Sequence, residues 1–155
     1  MKVVRNGVFE TNSSSCHSLC ISDQEAILDT LPVDNEGVVR IFTGEFGWGI
    51  DEYNDAAMKA AYCLTWIKTC NDENDPKVSK YEASLKGVIE EVCKAKEVRF
   101  IQETDKYYPW GYIDHQSSDR CAEAFESLTS LKNFIFNPNS TLRISNDNGG
   151  EDDDY

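Results

Sequence analysis

The stretch DAAMKAAYCLTWIKTCNDENDPKVSKYEASLKGVIEEV, residues 55–92, decides the fold, because it holds two apolar patterns of helical period separated by a short polar break. Apolar residues recur at steps of three and four from Ala56 to Cys70, which predicts a helix. After the break, Pro76 suits a first helical turn, and the pattern resumes from Val78 to Val92. Two long helices joined by a short turn are expected to pack as an antiparallel pair.

Strand signals lie on both sides of these helices. Val38–Phe42 and Val98–Ile101 are short runs rich in β-branched and aromatic residues, and the first 22 residues indicate a strand, a polar loop and a second strand. Near the end, residues 133–136 and 141–144 flank the turn sequence Asn-Pro-Asn-Ser. This arrangement predicts a C-terminal β-hairpin.

Two more helices are expected. Ser22 begins a capping-box pattern, which predicts a short helix that ends at Leu31 before Pro32. Ser118 begins a second pattern, which runs through Leu131. Strands mixed with helices place the chain in the α+β class, as a single compact domain over residues 1–150 with an antiparallel sheet, the two long antiparallel helices and the C-terminal hairpin, followed by an acidic tail at residues 151–155.

The chain is strongly acidic, with 28 Asp and Glu residues against 15 Lys and Arg residues and a net charge of -13. Such a field repels phosphate backbones, which argues against direct nucleic-acid binding, and it attracts basic surfaces. No apolar run approaches the length of a membrane span, and the N-terminus has no apolar core of a secretory signal. We therefore expect a cytoplasmic protein without a membrane partner, whose six cysteines are reduced.

The run Thr11–Ser18, TNSSSCHS, concentrates hydroxyls, an amide, a thiol and one of the two histidines. The second histidine follows an acid in the stretch YIDHQSS, residues 112–118. If the two stretches meet, they offer a polar site for acid–base chemistry. The candidate catalytic residues are Ser15, His17, Asp114 and His115.

Other uses of these residues remain open. A loop rich in Ser and Asn can satisfy its own backbone, or both stretches can form one buried hydrogen-bond network that fixes the fold. A dyad of Cys16 with the adjacent His17 is disfavoured, because neighbouring side chains of an extended segment point to opposite faces. Since the spacing of cysteines and histidines is not that of a metal site, we expect no metal and no cofactor.

Several loop residues are candidates for binding. Two tryptophans lie in loops that contain glycine or proline, where large aromatic side chains can form a recognition surface. The acidic tail offers contacts for a basic partner. The binding candidates are Thr11, Asn12, Ser13, Ser14, Trp48, Trp110, Glu151, Asp152, Asp153 and Asp154.

The opening run FETNSSSCHS, residues 9–18, together with residues 44–48, 112–117 and 146–148, resembles a family of small proteins of bacteria and their phages. Members of this family open with the signature FETNSSSxHS, and Cys16 stands where relatives usually have Thr or Ser. The resemblance brings no activity with it. It implies a mobile-element setting, in which an accessory enzyme or a protein that disarms a host defence is expected.

Charge and setting together predict an acidic accessory protein that binds the basic surface of a host nucleic-acid-binding enzyme, such as an RNA-guided nuclease, and inhibits it. The alternative is a small hydrolase or ligand-binding enzyme with a site of Ser, His and Asp. The distance between His17 and His115 discriminates between them, because the enzyme requires both imidazoles to reach one pocket.

Overall fold

The computed structural model describes residues 2–5, 15–47, 50–103, 107–113 and 115–146, with the backbone alone for 2–5, 15, 115–120 and 146. Within these residues the chain has an α+β fold, in which a four-stranded antiparallel sheet packs with helices. The elements in chain order are β1 (Lys2–Arg5), β2 (Ser15–Ile21), β3 (Val38–Phe42), β4 (Glu45–Phe46), β5 (Asp51–Tyr53), α1 (Ala56–Thr69), α2 (Pro76–Cys93), β6 (Glu97–Ile101), β7 (Tyr112–Ile113), a 3₁₀ segment (His115–Glu126), α3 (Leu128–Phe136) and β8 (Thr141–Asn146).

The antiparallel sheet has the strand order β1-β2-β8-β5. In its centre, His17 lies opposite Ile144 and Leu19 opposite Leu142, and all four side chains are buried. Because side chains alternate along a strand, these residues share one face of the sheet, and this face covers the core. Two short parallel pairs, β3 with β6 and β4 with β7, complete the strand structure of the described residues.

The two long helices confirm the main prediction from the sequence. The side chain of Asp55 caps α1 by accepting the Met58 amide at 3.0 Å, and Asp75 caps α2 in the same manner. Pro76 is the first residue of α2, as expected. The end of α1 contacts the start of α2, where Lys68 Nζ lies 2.8 Å from a carboxylate oxygen of Glu82, as in an antiparallel pair.

The predicted C-terminal hairpin is wrong in its first arm. Residues 133–136 belong to helix α3, whose N-cap Ser127 accepts the amide of Ser130, and strand β8 pairs with β2 and β5 instead. Phe134, Ile135 and Phe136 are all completely buried. A half-buried strand would expose alternate residues, so three consecutive buried side chains suit a helix end enclosed on several sides. The turn itself is present, since the Ser140 amide donates to the Asn137 carbonyl at 2.9 Å.

The short helix predicted from Ser22 to Leu31 is also absent, and this segment has no regular secondary structure. Tertiary contacts satisfy its backbone: the side-chain amide of Asn137 donates to the carbonyls of Ser22 and Gln24, and the backbone amide of Asp29 donates to the Phe136 carbonyl. The helix predicted from Ser118 is divided into the 3₁₀ segment and α3. The boundary of the domain at residue 150 and the acidic tail lie outside the described residues.

Candidate functional site

The N-terminal polar run lies in part within strand β2. Thr11, Asn12, Ser13 and Ser14 are outside the described residues, and Ser15 is described only as the first backbone position of β2. Cys16 and His17 follow it, and both side chains are completely buried. The end of the signature is therefore a strand of the central sheet and not an exposed loop.

His17 is bonded within the core. Its Nδ1 lies 2.6 Å from the hydroxyl of Tyr62 in α1, and the two ring centroids are 5.7 Å apart. The Tyr62 ring in turn contacts Phe46 edge to face at 5.0 Å. An imidazole enclosed in this way offers no face to a substrate, so the geometry supports the interpretation of His17 as a hydrogen-bonded core residue.

The second polar stretch is described only in part. Asp114 lies outside the described residues, and His115 is the first backbone position of the 3₁₀ segment, whose side chains are described from Cys121 onward. This segment packs against β2, which brings the elements that carry the two histidines side by side. The convergence of Ser15, Asp114 and His115 stays a prediction, since their side chains are not among those described.

Lys59 is a buried, titratable residue that the sequence analysis did not predict. It is completely buried, and its Nζ donates to the carbonyls of Asn137 at 3.0 Å and Ser140 at 2.9 Å. Burial lowers the pKa of this lysine to about 8, against the smaller opposing effects of Asp29 and Asp55. The sequence contains a signal for this burial. Residue 59 stands three after Ala56 and four before Cys63, and this spacing places it on the apolar face of α1.

The cysteines of the described residues are thiols placed mainly against the core. Among the described residues none of the six cysteines forms a disulfide, and Cys16, Cys63 and Cys121 are completely buried. Burial raises the pKa of the Cys121 thiol well above its ordinary value, and the neighbouring Cys63 raises it further. A thiol in this environment stays protonated and is a poor nucleophile.

A surface pocket of about 290 Å³ lies beyond the carboxyl ends of the parallel strands β3 and β6. Open ends of parallel strands are common places for ligand sites, because the loops that follow them converge there. The loop after β3 meets the loop before β7, where the Tyr112 amide donates to the Gly44 carbonyl at 2.9 Å. The residues that line the pocket are Thr43, Gly44, Glu45, Glu103, Tyr108 and Gly111.

The predicted aromatic binding residues have different outcomes. Trp48 lies outside the described residues, and Trp110 is half-buried beneath Lys68, whose Nζ lies 4.5 Å from the ring centroid. The exposed rings of the same loop are Tyr107, with 89% of its surface accessible, and Tyr108, with 45%. Their place after a strand and beside Pro109 is the signal that indicates an exposed aromatic loop.

Among the described residues, no group of three or more His, Cys, Asp or Glu side chains is arranged to hold a metal ion, and none of the helices is long and apolar enough to cross a membrane. Comparison of the chain with family models, with curated proteins and with solved structures finds no match. The function must therefore be argued from the charge and the surface of the chain itself.

Proposed function

We propose that this chain is an acidic cytoplasmic accessory protein, of the kind that phages and other mobile elements carry, and that it inhibits a host nucleic-acid-processing or defence enzyme by binding its basic surface. The observation that carries the proposal is the net charge of -13. The structure adds where part of this charge lies. Exposed carboxylates of the described residues occur on strands, loops and helices, namely at Asp23, Glu25, Asp34, Glu36, Glu45, Asp51, Glu52, Asp55, Asp72, Glu73, Glu91, Glu97 and Glu126.

The basic residues cancel only part of this charge, because 15 Lys and Arg residues stand against 28 Asp and Glu residues. Arg40 and Arg99 pair with the exposed carboxylates of Asp34 and Glu97, and Lys68 pairs with Glu82. A surface with an acidic excess repels nucleic acid and accelerates encounter with a basic groove that normally holds a phosphate backbone. A target in the host fits the mobile-element setting that the opening run predicts.

The salt dependence of binding tests this proposal. The chain, immobilised and exposed to a nuclease-treated bacterial lysate, is expected to retain a nucleic-acid-binding enzyme at low ionic strength. It should release this enzyme when salt is raised about tenfold, since the screening length then falls from about 10 Å to about 3 Å. Deletion of residues 151–155 removes four carboxylates of the side chains and is expected to lower the salt concentration needed for release.

The same experiment has a clear contrary outcome. If the retained enzyme stays bound at high salt, and deletion of the tail changes nothing, apolar contacts and not charge hold the complex. Retention of proteins without affinity for nucleic acid would equally contradict the proposal. A matched control is the chain with the tail residues Glu151, Asp152, Asp153 and Asp154 changed to Asn or Gln, which keeps the length and removes the charge.

A further inference from the structure

We propose that the surface beyond the carboxyl ends of β3 and β6 is the specific contact of this chain with its basic partner, and that it binds an arginine side chain. The inference rests on the proposed function, to which it adds a place and a chemistry. The surface combines exposed rings with two carboxylates. We call it the aromatic-acidic surface, and it consists of Glu45, Glu103, Tyr107 and Tyr108.

The exposure of the rings is the first argument. Tyr107 is 89% accessible and Tyr108 45%. Tyr108 lines the pocket and Tyr107 contacts Tyr108, so the two exposed rings lie together at the pocket. Grouped exposed aromatic residues mark interaction sites, because they leave apolar area in water that a partner can cover.

Tyr108 lies between two other aromatic rings. Tyr107 and Tyr108 contact each other edge to face at 4.8 Å between centroids, and Tyr108 contacts Tyr112 at 5.3 Å. The loop closes through a turn in which the Gly111 amide donates to the Tyr108 carbonyl at 2.9 Å. A surface ordered before binding loses little conformational entropy when a partner arrives, which favours affinity.

The carboxylates decide the chemistry of the ligand. Glu45 and Glu103 line the same pocket as Tyr108, in a protein with an excess of negative charge. A phosphate or a carboxylate ligand would be repelled, whereas a cation gains from both the carboxylates and the faces of the rings. Arginine is favoured over lysine, because its planar guanidinium stacks on aromatic rings and pairs with a carboxylate through two parallel hydrogen bonds.

The chain contains an internal example of a cation between a ring and a carboxylate, and its ring, Trp110, belongs to the same loop. Lys68 Nζ lies 4.5 Å from the centroid of Trp110 and 2.8 Å from a carboxylate oxygen of Glu82. A cation is thus held between a ring and a carboxylate a few residues from Tyr107 and Tyr108. The aromatic-acidic surface offers the same combination of groups to a cation from outside.

Binding of a labelled oligo-arginine peptide, followed by fluorescence anisotropy at low salt, tests the inference. Tyr107→Ser with Tyr108→Ser is expected to weaken binding by about tenfold, since two cation–π contacts are lost. Tyr107 is almost fully exposed and Tyr108 about half exposed, so the double variant should stay folded with a midpoint within several degrees of the wild type, which thermal unfolding checks. The control is Ile27→Ser with Leu128→Ser, which removes two exposed apolar side chains elsewhere and should leave binding unchanged.

Charge needs its own control. Glu45→Gln with Glu103→Gln should weaken binding more than Glu25→Gln with Glu91→Gln, which removes the same charge outside the surface. An oligo-lysine peptide of equal length should bind more weakly than oligo-arginine. Equal effects of the two pairs of Glu variants, together with wild-type binding by the tyrosine variant, would show that the overall negative charge of the chain attracts the peptide. This result would refute the site and leave the proposed function standing. If the wild type binds neither peptide, the site and the proposed function are both refuted.

Discussion

The unfolding free energy of the wild type, measured relative to a Lys59→Met variant, is expected to rise by about 3 kcal/mol as the pH increases from about 7 to 10.5. Lys59 is completely buried and has a pKa of about 8 in the folded chain, against the ordinary value of 10.5. Between these values the unfolded chain binds the proton and the folded chain does not. The unfolding free energy therefore increases with pH in this window, by about 1.4 kcal/mol per unit.

The comparison with Lys59→Met isolates the lysine from other groups that titrate in the same range. Burial raises the pKa of Cys93 and Tyr53, and these groups act in the opposite direction, because the folded chain keeps their protons longer. Both remain in the variant, so their contributions cancel in the difference. Urea unfolding at several pH values measures it. Parallel pH curves for the two proteins would contradict a buried lysine with a lowered pKa.

Gly111→Ala is expected to destabilise the chain by about 3 kcal/mol or more, because it combines backbone strain with a steric clash. Gly111 has φ +80, and a Cβ at this position would lie 2.2 Å from the Gly44 carbonyl oxygen and 3.0 Å from Cγ2 of Thr65. The two loops can relieve the clash only by separating, which breaks the bond between the Tyr112 amide and the Gly44 carbonyl. The variant should also lose binding of oligo-arginine, since these loops support the aromatic-acidic surface.

Gly87→Ala is the matched control. Gly87 lies in the middle of α2, and a Cβ there would meet no atom within 4 Å. Alanine in an exposed helix should stabilise the chain by about 0.5–1 kcal/mol. Urea unfolding of both variants gives the comparison. Equal stability of Gly111→Ala and wild type would show that the close approach of the two loops does not support the fold.

The sequence predicted the parts of the fold that depend on local patterns. The apolar period and the position of Pro76 place α1 and α2 almost to the residue, and Val38–Phe42 is β3 as expected. These elements form because their own residues favour them. The α+β class follows from the same signals.

Tertiary contacts decided the parts that were missed. Residues 133–136 are rich in aromatic and β-branched side chains, yet three enclosed positions in succession make them the end of a helix. The segment after Ser22 has helix-starting residues, but Asn137 from the other end of the chain bonds its carbonyls. A local sequence pattern around Ser22 cannot show that Asn137 lies close to it in the fold.

The candidate site was predictable only in part. The sequence predicts His17 as a catalytic candidate because of its imidazole, and the structure places it in the core against Tyr62, 45 residues away in sequence. The burial of Lys59 was not predicted, because lysine side chains are almost always exposed. The sequence predicts Trp110 as an aromatic binding residue, whereas the exposed rings of the same loop are Tyr107 and Tyr108.

Competition with nucleic acid tests the central claim most directly. The enzyme retained by the chain is titrated with its labelled nucleic acid at increasing concentrations of the chain. If the chain occupies the basic surface, the apparent Kd for nucleic acid should rise in proportion to the concentration of the chain, without reaching a plateau. An unchanged Kd, or one that levels off while the complex with the chain is saturated, would show that the two ligands bind at once and would contradict the account.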